Sequence, residues 1–153
     1  MSTRDVIGRG FFAEVFSPPG SGIAYKVYYR AGINHPELCT ILTAFRSELL
    51  AYEVAARDPE LSRYLPAYYG PATIQRIVDA ELHDRSSTYL LDVAFGMERL
   101  ARRPIKLYKL AEALQATLRP IMDQFTLRRV STLDASVLYD PVVPRFVDIH
   151  MLL

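Results

Sequence analysis

Cysteine is nearly absent from this sequence, and long hydrophobic runs are missing from it. Cys39 is the single cysteine, which excludes an intramolecular disulfide and a cysteine-rich zinc cluster and favours a reducing compartment. No run approaches the roughly 18 to 20 apolar residues that a membrane-spanning helix needs. The N-terminal sequence MSTRDVIGRG lacks the apolar core of a secretory signal. We therefore expect no membrane partner.

An excess of one charge sign is also missing. The chain has 18 Lys and Arg against 17 Asp and Glu, so no overall field favours a nucleic-acid partner. With 153 residues, half of them apolar, the chain is long enough to bury a core and short for two independent domains. We expect one domain over residues 1–153.

The pattern along the chain mixes strands and helices. Residues 4–17 predict a strand, a glycine turn and a second strand, and residues 23–30 have the β-branched and aromatic bias of a third. A long amphipathic helix follows over residues 37–58 and ends at the Asp58-Pro59 step.

The second half of the chain continues this α+β pattern. Residues 64–94 predict further strands around a polar turn, HDRSS. Residues 106–125 have helical spacing, and Pro120 either kinks that helix or divides it in two. The runs VLY and RFVDI, on either side of DPVVP, predict a hairpin.

Two short motifs in the first strands resemble the N-terminal lobe of a protein kinase. VIGRGFFAEVF follows the pattern G-x-G-x-x-G-x-V with alanine at the third glycine, and AYKVY contains the A-x-K piece of the next strand. A glycine pair alone is weak evidence, because such pairs often only make turns. The matching positions are Gly8, Gly10, Val15, Ala24 and Lys26.

The resemblance implies that the glycine-rich backbone covers the phosphates of ATP and that Lys26 binds the α- and β-phosphates. It also implies a glutamate partner for Lys26 on the long helix, where Glu48 and Glu53 lie on opposite margins of the apolar stripe. We prefer Glu48, without excluding Glu53. The alternatives are a plain hairpin with a snorkelling lysine and two solvated glutamates at the helix edge.

The segment TYLLDVAFG resembles the fifth strand of a kinase where it runs into the hinge. Backbone groups near Asp92, Val93 and Ala94 would then read the adenine edge. Backbone recognition leaves almost no sequence signature, so this assignment depends on the order of the elements.

The C-terminal residues are similar to the kinase metal site. Asp148-Ile149-His150 stands where D-F-G is expected, and Asp148 could bind Mg²⁺ through its carboxylate although phenylalanine and glycine are both replaced. Counting back, Ser136 falls on the metal-binding asparagine and Ser131 on the catalytic aspartate.

Asp134 lies between those two serines and has three possible roles. It could serve as the catalytic base or a second metal ligand in a shortened loop. It could instead be an ordinary turn residue, and the chain would then be a nucleotide-binding pseudokinase.

The resemblance therefore implies a reduced kinase-like domain, with a five-stranded antiparallel sheet and one long helix in an N-lobe over residues 1–96. A truncated, mostly helical C-lobe ending in a β-hairpin would occupy residues 97–153. Its cofactors would be ATP and Mg²⁺, and Lys26, Glu48, Asp134 and Asp148 would be its catalytic residues. An unrelated α+β domain with an exposed Lys26 is the remaining possibility.

The expected activity is phosphoryl transfer to the hydroxyl of a protein substrate, as in minimal bacterial effector kinases or toxins. The alternative is a degenerate pseudokinase that acts as a protein-binding module. The protein would be cytoplasmic or exported into a host cell by a route that needs no secretory signal.

Overall fold

The computed structural model describes residues 1–31 and 37–152. Within these ranges the chain forms three α-helices, α1 (Leu38–Arg57), α2 (Pro59–Ser62) and α3 (Glu112–Leu127). It also forms ten β-strands: β1 (Val6–Arg9), β2 (Ala13–Phe16), β3 (Ile23–Tyr29), β4 (Tyr68–Ala72), β5 (Tyr89–Glu98), β6 (Ile105–Lys106), β7 (Val130–Ser131), β8 (Ser136–Leu138), β9 (Arg145–Val147) and β10 (His150–Met151). None of the described helices is long and apolar enough to cross a membrane.

The chain divides into two compact units. The first unit contains Met1–Arg46 and Tyr69–Arg99, and the second contains Ser47–Tyr68 and Leu100–Leu153. The functional lobes predicted over residues 1–96 and 97–153 stay a prediction.

A five-stranded sheet in the order β1-β2-β3-β5-β4 forms the first unit. The pairs β1–β2, β2–β3 and β3–β5 are antiparallel. The turn from β1 to β2 is closed by the Gly10 N–H, which donates to the carbonyl of Ala13 at 2.9 Å. The predicted α+β class, with an antiparallel five-stranded sheet and a long helix, is confirmed.

One face of this sheet is covered by the core of the first unit. Phe16 and Tyr89 meet edge to face with ring centroids 5.6 Å apart, and Tyr29 stacks on Tyr89 at 5.8 Å. Ile74 and Ile77, from the segment after β4, are buried against them. We call this side the core face.

The segment between β4 and β5 is a loop, although the sequence predicted strands over most of it. The Asp79 carboxylate accepts hydrogen bonds from the backbone N–H groups of Glu81 and His83, each at 2.9 Å, and from Arg85. Although desolvation opposes the change, these bonds lower the pKa of Asp79 to about 2. A side chain that satisfies the backbone in this way favours a turn over a strand.

The second unit combines helix α3 with two small sheets, β6-β8-β9 and β10-β7. The predicted hairpin is confirmed as β8 and β9, which pair antiparallel. Phe125 of α3 packs on Phe146 of β9 with ring centroids 5.3 Å apart, and both rings are fully buried.

Helix α3 runs through Pro120 without dividing. Proline leaves the carbonyl of Ala116 without its helical donor, but Ala116 is exposed, so water can donate to that carbonyl instead. The C-terminal end of α3 is held by Arg128, whose guanidinium bonds Asp58 at 2.6 Å and Glu60 at 3.0 Å.

Hydrogen bonds between one carboxylate and two phenols link three strands of the first unit. Tyr29 donates its hydroxyl to Glu14 at 2.8 Å, and Tyr89 donates to the other carboxylate oxygen at 3.3 Å. Burial and the neighbouring Glu14 raise the pKa of Tyr29 above its usual range, and burial together with the charge of Glu14 raises the pKa of Tyr89 to about 12.

Stability should therefore fall at alkaline pH. Between pH 10 and pH 12 the unfolded chain releases phenol protons that folded Tyr29 and Tyr89 still hold, so the free energy of unfolding decreases by about 2 kcal/mol for each of the two phenols. Urea titrations across this range measure the slope. The Tyr29→Phe/Tyr89→Phe double variant should show a shallower decrease, whereas Tyr69→Phe, at an exposed tyrosine, should keep the wild-type slope. Identical slopes in the double variant and the wild type would contradict this account.

Candidate functional site

The predicted phosphate-binding residues lie on one face of the five-stranded sheet, opposite the core face. Gly8 pairs with Val15, Val15 pairs with Lys26, and Lys26 pairs with Phe95. Directly opposed residues of antiparallel strands point to the same side of a sheet, and residues two apart in one strand do so as well. Gly8, Val15, Ala24 and Lys26 therefore share a face, which we call the lysine face.

Asp92 and Ala94 occupy the strand beside this row. Ala94 pairs with Val27 of β3, and both side chains are fully buried in the core. Asp92 has an exposed side chain. The predicted contact of their backbone with adenine stays a prediction.

The fold itself does not require glycine at the two motif positions. A Cβ added to Gly8 would lie 3.7 Å from the Cβ of Val15, and one added to Gly10 would lie 3.8 Å from the carbonyl oxygen of Ala13, both ordinary van der Waals distances. Neither residue has a positive φ, in contrast to Gly20 and Gly22 in the next connection. What the missing Cβ atoms provide is bare backbone that a ligand can approach closely.

Lys26 is half-buried on the lysine face. Its Nζ lies 5.8 Å from the ring centroid of Tyr28, two residues along the same strand. That ring is buried and packs edge to face on Phe45 of α1 at 5.2 Å. The lysine stem is therefore held along an ordered aromatic surface.

The two candidate glutamates on α1 have different environments. Glu48 is 1% exposed, so it is not a solvated helix-edge charge and must be compensated inside the protein. Glu53 is partly exposed, and its charge adds to burial in raising the pKa of Tyr68 to about 12. The prediction that both glutamates are solvated is wrong for Glu48, while the pairing of Glu48 with Lys26 stays a prediction.

Asp148 is the centre of a polar cluster in the second unit. Ser136 donates its hydroxyl to Oδ2 of Asp148 at 3.1 Å, and Lys106 Nζ lies 3.6 Å from the same oxygen. Lys106 also donates to the backbone carbonyl of Asp134 at 2.9 Å. We call Lys106, Ser136 and Asp148, with the Asp134 carbonyl, the Asp148 cluster.

Strand pairing and one unusual backbone angle position this cluster. Lys106 pairs with Ser136 across β6 and β8, so both side chains leave the sheet on the same side. Asp148 has a φ of 60°, a left-handed conformation that aspartate tolerates better than most residues. Ile149 directly after it is fully buried and fixes the backbone there.

The other predicted site residues of the C-terminal segment are less closely associated with this cluster. Asp134 contributes its carbonyl to the cluster, and its side chain belongs to an exposed residue. Ser131 pairs with His150 in the β7–β10 ribbon, and its hydroxyl accepts the N–H of Leu133 at 3.3 Å.

Sequence reasoning missed Lys106. Its strand has only two residues, too few to show an alternating pattern. The partner residue, Ser136, is distant along the chain, and the pairing that joins them is tertiary. No local signal could have identified this lysine.

The contacts at Oδ2 of Asp148 disfavour a divalent cation at that oxygen. Mg²⁺ requires near-octahedral oxygen coordination at about 2.1 Å, whereas Oδ2 of Asp148 already has an ammonium nitrogen 3.6 Å away and a hydroxyl bonded to it. The ammonium would repel a metal at that oxygen. Asp134 and Asp148 stay only predicted metal ligands.

A second acidic group lies on the loop before β5. Ligand atoms of Asp79, Glu81 and His83 lie within 4.8 Å of one another. The Asp79 oxygens already accept the bonds that shape this loop, and Glu81 and His83 are exposed. These contacts explain the cluster as part of the turn.

Comparisons with known proteins identified no relative of this chain. No family model, curated protein or solved structure matches the chain. The class that the structure defines is an α+β protein with a five-stranded antiparallel sheet and a long helix.

Replacing Ser136 by alanine should weaken the second unit. The variant removes a hydroxyl that is 7% exposed and bonded to a carboxylate, so we expect a loss of about 1–2 kcal/mol in the free energy of unfolding, measured by urea titration. Ser87→Ala, at an exposed position, should leave this energy within about 0.5 kcal/mol of wild type. Equal stability of both variants would mean that the bond contributes nothing.

Proposed function

We propose that this chain is a reduced protein-kinase-like domain that binds ATP on the lysine face. The observation that supports this most is that Gly8 and Gly10 have no conformational or steric reason to be glycine, and that Gly8 shares the lysine face with Lys26, in the same row through Val15. Bare backbone next to an ammonium is a suitable surface for phosphate groups.

The chemistry of this face suits each part of a nucleotide. Backbone N–H groups of the hairpin other than that of Gly10, which already donates to Ala13, can donate to phosphate oxygens. Lys26, whose stem packs along Tyr28, supplies a positive charge. Val15 presents a small apolar side chain on the same face, paired with Lys26 in the sheet, where the flat face of a base could lie; Ala24 is already covered, at 4% exposed. In this proposal residues 1–96 form the N-lobe and residues 97–153 the reduced C-lobe.

Between binding and catalysis, the residues favour binding. Serine stands at both positions where the resemblance expects the catalytic aspartate and the metal-binding asparagine, and Asp148 is engaged by Lys106 and Ser136. We therefore propose a pseudokinase whose nucleotide supports a protein-binding role.

Phosphoryl transfer to a protein hydroxyl is the second candidate. It is favoured by the exposure of Asp134, which leaves room for its carboxylate to meet a substrate. In that case Asp134 would position the hydroxyl, and Glu48 would orient Lys26.

Removing the charge of Lys26 should abolish most of the ATP affinity. Saturating ATP should raise the Tm of the wild type, because a ligand that binds only the folded state stabilises it. Lys26→Met should weaken ATP binding about 10-fold or more in titration calorimetry, the effect expected for a charged hydrogen bond. The matched control is Lys109→Met, because Lys109 also lies near a tyrosine ring, 6.0 Å from that of Tyr108. Equal loss in both variants, or no ATP-dependent Tm shift in the wild type, would contradict the proposal.

Adding a methyl group at Gly10 should separate folding from binding. Because the structure has space for a Cβ there, Gly10→Ala should keep the Tm of the wild type within a few degrees and lower the ATP affinity at least about 10-fold. Gly22→Ala is the converse control, since its φ of 67° penalises alanine and it should lose stability by about 1 kcal/mol or more. Wild-type ATP affinity in Gly10→Ala would remove the main support for the nucleotide site.

Labelled phosphate distinguishes the two candidate functions. With ATP labelled at the γ-phosphate and a mixture of folded proteins as acceptor, we expect the wild type to transfer no more label than Lys26→Met. Transfer by the wild type that is lost in both Lys26→Met and Asp134→Asn would establish the second candidate instead.

A further inference from the structure

The Asp148 cluster contains a cation supplied by the chain itself. Lys106 Nζ lies 3.6 Å from the carboxylate oxygen Oδ2 of Asp148 and donates to the carbonyl oxygen of Asp134 at 2.9 Å. Carboxylate and carbonyl oxygens are the ligands that a hard divalent cation uses in proteins. We propose that the ammonium of Lys106 occupies the cation position at Asp148 and excludes a divalent metal from that carboxylate.

The backbone of Lys106 is fixed next to Ser136. Lys106 pairs with Ser136 across β6 and β8. The N–H of the next residue, Leu107, donates to the carbonyl of Ala135 at 3.0 Å, and the Leu107 side chain is 5% exposed. The backbone of Lys106 is therefore fixed on both sides, and only its side chain remains to be ordered.

Electrostatics then decide between the two cations. A divalent ion bound to Oδ2 would lie about 2.1 Å from that oxygen, and an ammonium 3.6 Å from the same oxygen would be within a few ångströms of the metal. Like charges at such a distance repel strongly, even with partial screening by water. A metal at Oδ2 would therefore have to displace the Lys106 ammonium.

Ser136 completes the arrangement. Its hydroxyl donates to the same carboxylate oxygen, so the carboxylate receives a neutral donor and a positive charge from two neighbouring strands. This inference concerns residues of the second unit alone and goes beyond the proposed ATP site, because it holds whether or not ATP binds.

Mn²⁺ binding to the full chain, without nucleotide, tests the inference. Electron paramagnetic resonance of free Mn²⁺ measures the affinity directly. The wild type should bind Mn²⁺ no more tightly than Asp148→Asn does, whereas Lys106→Gln should gain at least about 10-fold in affinity. The gain should disappear in Lys106→Gln/Asp148→Asn, and Lys109→Gln should behave as wild type.

Two results would overturn the inference. One is Mn²⁺ binding by the wild type that Asp148→Asn removes; the other is a folded Lys106→Gln variant, verified by circular dichroism, with no gain. If Lys106→Gln does not fold, Lys106→Met provides the same neutral test, and Lys106→Arg, which keeps the charge, should still exclude the metal. Failure of ATP to bind would count against the proposed function without altering these Mn²⁺ results.

Discussion

The position of β3 between β2 and β5 is the constraint on which the first unit depends. Antiparallel pairing on both sides aligns Val15, Lys26 and Phe95 in one row across three strands. A shift of one residue would turn Lys26 into the core and move Val27, which is fully buried there, to the opposite face. The register that buries the apolar residues on the core face is therefore the same register that presents the lysine on the other face.

Local sequence signals predicted those strands and helices that composition and periodicity along the chain define. The β-branched and aromatic bias of residues 23–30 and the apolar stripe in residues 37–58 predicted β3 and α1 close to their observed bounds. The segment between β4 and β5 has the apolar residues of a strand, Ile74 and Ile77, but both are buried against the sheet from a loop that Asp79 shapes. Tertiary burial and side-chain bonds to the backbone decided that segment, and periodicity cannot represent either of them.

The candidate site residues also divide into those that the local sequence predicts and those that it does not. Gly8, Gly10 and Lys26 could be predicted because their two motifs lie in strands that follow one another closely along the chain. Lys106 could not be predicted from the sequence, since its place beside Asp148 arises from the pairing of two short strands that are distant in sequence. The exposure of Asp134 and the burial of Glu48 likewise became clear only from the structure. Helix and turn patterns predict which side of an element a residue lies on, but not how deeply its side chain is buried.

The two lysines have different neighbours. Lys26 lies over the ring of Tyr28, which attracts the ammonium and orders the lysine stem. Lys106 lies beside a carboxylate and bonds a carbonyl, and its charge is largely balanced within the cluster. In the proposed function a phosphate group would bind at Lys26, whereas a divalent cation at Oδ2 of Asp148 would have to displace Lys106. The same type of side chain thus has a proposed ligand-binding role in the first unit and a proposed metal-excluding role in the second.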